Sequence, residues 1–239
     1  MRARSLRRTV GPGLTIGRGR SIGRRLGVGR RLTVWCGLVG LVGLALAASG
    51  CTTEPSEPPT SKPTGPAPAV EFTASVEPKA TAIDIRYRLV NRDDKVLYAL
   101  NRVFSAGSAD SFKSTPNDVY VTVRRGGGVE IAKRAFDLPP GMMADAPAML
   151  SGTPLAPGES VEESFSVSRP LERRHPYGNR PEDGPTALPD PIRYVVFCLG
   201  VVDVAPLDIP AAPGKLIFDH DAWVTQAQHV FCSDRVPLT

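Results

Sequence analysis

Arg173, Arg174, His175 and Tyr177 place two cations, an imidazole and a phenol within five residues. Such types are enriched at interfaces, so this run is the candidate binding loop. The same residues also fit a solvated crossover, balanced by Glu172, Glu182, Asp183 and Asp190. Asp219-His220-Asp221 and His229 carry imidazole and carboxylate donors that suit zinc or a harder cation. On a strand, however, Asp219 and Asp221 share one face and His220 points to the other. No second closely spaced ligand pair accompanies them, so we expect no metal and no cofactor. Met142, Met143 and Met149 could line an adaptable surface, although filling core gaps suits them better. From Cys51 onward Gly-x-Ser-x-Gly, a phosphate loop and a dinucleotide fingerprint are all missing. No catalytic residue is assigned, and a hydrolase using His175, His220 and His229 is the least favoured reading.

The four cysteines, Cys36, Cys51, Cys198 and Cys232, fall into two settings. Ten arginines and no acid precede Cys51, and the first carboxylate is Glu54. Leu32 to Ser49 is an uncharged run of 18 residues, close to the shortest length that spans a bilayer. Gly37, Gly40 and Gly43 weaken it as a stable helix. It closes on Leu46-Ala47-Ala48-Ser49-Gly50-Cys51, small residues around which a peptidase can fit extended backbone. The order basic, apolar, small, cysteine reads as an export leader. The Arg-rich start is longer than a leader needs. It fits initiation near Val28, or a twin-arginine signal at Arg24-Arg25 or Arg30-Arg31, or, least well, a nucleic-acid arm.

At Leu46 to Cys51 the chain resembles bacterial lipoprotein precursors, with Ala48 where Leu, Val or Ile is more usual. The resemblance implies that Cys51 becomes the first mature residue and carries acyl chains. It implies a membrane-anchored protein in the cell envelope, facing the periplasm or exterior. Thr52 replaces the aspartate that signals inner-membrane retention, which implies the outer membrane where there is one.

Removing residues 1–50 takes ten of the 29 basic side chains and leaves 19 against 24 Asp and Glu. The mature chain is therefore acidic, and nucleic acid is not an expected partner. Residues 51–69 are rich in Pro, Thr and Ser without an apolar pattern, and we read them as a disordered tether. Fully extended, it would reach roughly 50–60 Å at about 3.1 Å per residue. Residues 70–239 suffice for one domain. Cys198 and Cys232 lie in it, and export to an oxidising compartment favours their pairing as a disulfide.

Period-two alternation dominates this domain. Val70, Phe72, Ala74 and Val76 alternate with polar residues, as do Ile83, Ile85, Tyr87 and Leu89, and Val119, Val121 and Val123. Gly126-Gly127-Gly128 suits a hairpin into Val129 to Ala135. Pro157-Gly158 makes a turn before Val161, Phe165 and Val167. Ile192 to Val202 is apolar on both faces, as a central strand should be, and Trp223 to Phe231 reads as a last strand. Asp137 to Pro154 and Arg169 to Pro191 read as long loops. About eight strands and no helical period predict an all-β fold, an antiparallel β-sandwich. Over Val70 to Arg169 the chain resembles immunoglobulin-like bacterial modules. We expect an interaction role towards an envelope partner, with a small-ligand or carbohydrate binder as the alternative.

Overall fold

The computed structural model describes residues 60–104, 114–138, 148–178, 187–204, 216–220 and 222–238. The leader and Cys51 lie outside them. Strands β1 (Val70–Pro78), β2 (Ala82–Asn91) and β7 (Ser160–Ser168) form a three-stranded antiparallel sheet in the order β1-β2-β7. Its alternation sorts the side chains. Ile83, Ile85, Tyr87, Leu89 and Phe165 are buried on one face, while Glu71, Thr73, Arg86, Arg88, Glu162 and Ser164 stand exposed on the other.

The second, larger sheet contains β3 (Leu97–Val103), β4 (Tyr120–Arg124), β5 (Gly128–Lys133), β6 (Met149–Leu155), β8 (Tyr194–Asp203), β9 (Leu216–Asp219), β10 (Gln228–Cys232) and β11 (Val236–Pro237). Its central strand, β8, pairs with β3, β5, β10 and β11. Val195, Phe197, Leu199 and Val201 join Ile83, Ile85, Tyr87 and Phe165 in the core shared by the two sheets. On the opposite face Val202 packs with Tyr98, Leu100, Leu150, Phe218 and Val224. Covered on both sides, β8 has no place for polar alternation, which explains its continuous apolar run.

Four features depart from the sequence-based expectation. The β5–β8 pair is parallel, so the sheet is mixed and not wholly antiparallel. The chain between them passes through β6 and β7, long enough to re-enter in the same direction. Strand β6 lies inside the segment read as a loop. Gly152 and Pro154 disguise it, yet Gly152 is needed there, because a Cβ would stand 2.8 Å from the Phe218 ring. The first half of the expected last strand, Trp223 to Phe231, is instead a helix, α1 (Ala222–Ala227), whose Val224 and Ala227 face the core, and strand structure begins only at Gln228. Six residues are too few to show a helical period. Finally, Ser61 and Thr64, expected in the tether, are bonded to the domain. The Ser61 hydroxyl donates to Asp137 at 2.7 Å, and the Thr64 amide to the Gln226 carbonyl at 2.8 Å.

Turn chemistry follows the residues. Gly126 and Gly127 take φ of 75° and 73° between β4 and β5, which side chains with a Cβ resist. Cys198 and Cys232 are direct partners across the antiparallel β8–β10 pair, with Cα atoms 4.1 Å apart, and form a disulfide.

Candidate functional site

The loop residues singled out in the sequence are brought down onto the domain. Arg174 exchanges both backbone hydrogen bonds with Val121, at 2.8 and 2.9 Å, and so pairs alongside β4 through a single antiparallel bridge. Its guanidinium donates to Asp118 at 3.2 Å and to the Phe104 carbonyl at 2.7 Å. Arg173 donates to the Gly178 carbonyl at 3.1 Å. His175 is buried, its ring 5.2 Å from that of Phe136, and its Nδ1 accepts from the Tyr177 amide. The Tyr177 hydroxyl donates to the His220 carbonyl.

His220 completes this aromatic cluster at the end of β9. It is 2 % exposed. Its Nδ1 accepts from the Phe136 amide at 2.9 Å, so the ring proton sits on Nε2, which donates to the Tyr120 hydroxyl at 3.1 Å. Burial, with repulsion from His175 and Arg134, lowers its pKa to about 3. Burial likewise raises the Tyr120 phenol. A neutral imidazole with both nitrogens engaged positions the β9 end; it has no free lone pair to act as a base. His229 lies apart on β10, where it lines a groove of about 300 Å³ with Thr60, Pro63 and Phe231. Asp219 is exposed, and Asp221, Met142 and Met143 lie outside the described residues. Among the described residues no three His, Cys, Asp or Glu side chains converge on a metal-sized site.

The densest chemistry is elsewhere, in residues that periodicity alone passed over. Glu163 occupies an inward position of β7, between Val161 and Phe165. Its Oε2 accepts from Lys133 at 2.7 Å and from the Tyr87 hydroxyl at 2.7 Å. Its Oε1 accepts from Asn101 Nδ2 at 3.0 Å and from Arg102. Lys133 is fully buried, on the same face of β5 as Val129 and Ile131, with its ammonium 4.3 Å above the Phe165 ring. Burial pulls the ammonium below its ordinary pKa, against the attraction of Glu163. Burial works to raise the Glu163 carboxyl, but Lys133, Tyr87 and Arg102 together hold it below its ordinary value. The sequence signal was a charge in a core register position on each strand.

A β-bulge in β3 makes this convergence possible. Ala99 pairs with Thr153 and Arg102 with Ser151, so an extra residue fits between them. Bulges re-aim side chains, and here consecutive Asn101 and Arg102 both reach one carboxylate. A second buried carboxylate, Glu130, is clamped by Arg124 at 2.8 Å and Arg134 at 2.6 Å on the other face of β5.

Two further open grooves are lined by described residues. One, of about 430 Å³, is lined by Pro170, Leu171, Leu188, Pro191, Ile192 and Leu238. The other, of about 400 Å³, lies on the outer face of the three-stranded sheet, between Thr73, Ser75, Arg86, Arg88 and Glu162. Compared with known proteins, the chain matches no family model, and neither the curated proteins nor the solved structures hold a match to it.

Proposed function

We propose that this is a lipid-anchored envelope lipoprotein, with a domain of the immunoglobulin-like sandwich kind, that works by interaction: it presents its three-stranded sheet to an envelope partner. The observation that carries this reading is the outer face of that sheet. Ser75, Arg86 and Ser164 form one cross-strand row, and Thr73, Arg88 and Glu162 the next. The face is polar and open, and among the described residues β1 and β7 pair on one edge each, with β2. Such edges can accept an added strand, and such faces suit a hydrated partner surface. The histidine cluster argues against a hydrolase, because the nitrogens of His220 are taken up inside the fold. The Cys198–Cys232 disulfide agrees with export.

Two measurements test the proposal. Fatty-acid labelling should mark the wild type and vanish in Cys51→Ala; unchanged labelling in the variant refutes the anchor. Photo-crosslinkers at Ser75 and Ser164 should each capture an envelope component in cells. Capture at neither position refutes the presentation role.

A ligand-binding role is the second reading, favoured by the apolar groove around Leu171, Leu188 and Ile192. It would show as saturable small-ligand binding that Ile192→Asp abolishes.

A further inference from the structure

We infer that Lys133 and Asn101 become joined by an amide bond between their side chains, made by attack of Lys133 Nζ on Asn101 Cγ with Glu163 as the proton carrier. The reacting groups meet on one carboxylate. Lys133 Nζ and Asn101 Nδ2 hydrogen-bond to the two oxygens of one carboxylate, at 2.7 and 3.0 Å. The third requirement is a donor to the amide oxygen. The Thr153 hydroxyl supplies it, at 2.7 Å from Asn101 Oδ1. An ion pair between Lys133 and Glu163 needs neither a wholly buried amide nor a donor that polarises its carbonyl. Both are present, and the β3 bulge is what delivers them.

The step balances without a cofactor or oxidant. Glu163 Oε2 takes a proton from the Lys133 ammonium and frees the nitrogen lone pair. That pair bonds to Asn101 Cγ, while the carbonyl pair moves onto Oδ1, where the Thr153 hydroxyl stabilises the developing charge. Glu163 passes its proton through Oε1 to Nδ2. The pair on Oδ1 returns, the Cγ–Nδ2 bond breaks, and Nδ2 departs. Nζ gives up two of its three protons, and the leaving nitrogen, which began with two, departs as ammonium.

The surroundings favour each stage. The attacking amine must be neutral, and burial over Phe165 and Tyr87 disfavours the ammonium. Arg102 and Tyr87 keep Glu163 ionised at the outset, which suits a base. Fixing both partners on one carboxylate turns a bimolecular condensation into a local one. Exclusion of water leaves the intermediate no competing nucleophile. The product would staple β3 to β5 beside β8.

The test is the intact mass of the full chain as recovered from cells, followed by peptide mapping. We expect the wild type to be lighter than its sequence by one ammonia, after the disulfide is counted, with one branched peptide joining the Asn101 and Lys133 segments. Lys133→Met, Asn101→Ala and Glu163→Gln should each restore the missing mass. A wild type at full mass, whose unfolded form acetylates at Lys133, overturns the inference, and this result needs no variant to fold. An ammonia deficit that survives Asn101→Ala overturns it equally.

Discussion

Lys133 Nζ lies 2.7 Å from Glu163 Oε2, and this contact ties β5 of the larger sheet to β7 of the three-stranded one. Its two side chains sit almost wholly out of solvent. Desolvating two charges is costly, so the pair is tolerable because Tyr87, Asn101 and Arg102 fill the remaining positions on the carboxylate. Removing the shared acceptor strands Lys133 and Arg102 together. We expect Glu163→Ala to destabilise the fold by about 3–5 kcal/mol in urea unfolding. A loss below 1 kcal/mol would show that the cluster is already hydrated.

His220 makes stability depend on pH. Its folded pKa of about 3 lies below its unfolded value of 6.5, so the unfolded chain binds the proton first. The contribution is complete above pH 6.5 and is lost as pH falls towards 3. The expected slope is about 1.4 kcal/mol per pH unit in that window. His220→Asn retains an acceptor for the Phe136 amide but does not titrate. The difference in urea midpoint between pH 7 and pH 5 should shrink in this variant, and an unchanged difference would assign the pH dependence to other groups.

The disulfide closes a loop of sequence separation 34. On chain-entropy grounds it contributes roughly 3–4 kcal/mol. The double variant Cys198→Ala, Cys232→Ala should lose about that much and keep its far-ultraviolet circular dichroism. Alkylation of the unreduced wild type should find neither thiol. Two alkylated cysteines would show that the bond is absent from the protein in cells.

Gly128 and Tyr194 are cross-strand partners in the parallel β5–β8 pair, and the tyrosine ring lies across the glycine. A Cβ at position 128 would stand 2.1 Å from the ring. The ring has little freedom to yield, since its hydroxyl donates to the Arg125 carbonyl at 2.6 Å and Arg235 stacks 4.7 Å from its centre. We expect Gly128→Ala to cost about 1–3 kcal/mol, as overpacking does, measured by thermal or urea unfolding.

Alternation told which faces of β1, β2 and β7 turn inward, because a strand's pleat repeats every two residues and needs no partner to set it, whereas β4, read as alternating, is buried on both faces. The doubly apolar run of β8 likewise announced a central strand, and the Pro157-Gly158 turn was legible because backbone angles are a local property. The Cys198–Cys232 bond was suggested by two cysteines in one domain behind a start that reads as an export leader. Pairing partners were not legible. That β5 runs parallel to β8, and that β6 threads Gly152 beneath Phe218, depends on contacts far apart in sequence. The site was hidden for the same reason. Glu163, Lys133 and Asn101 each look like a stray polar residue on its own strand. Only a bulge and the facing of two sheets bring them onto one carboxylate, and whether a charge is an error or a site is decided by what lies opposite it.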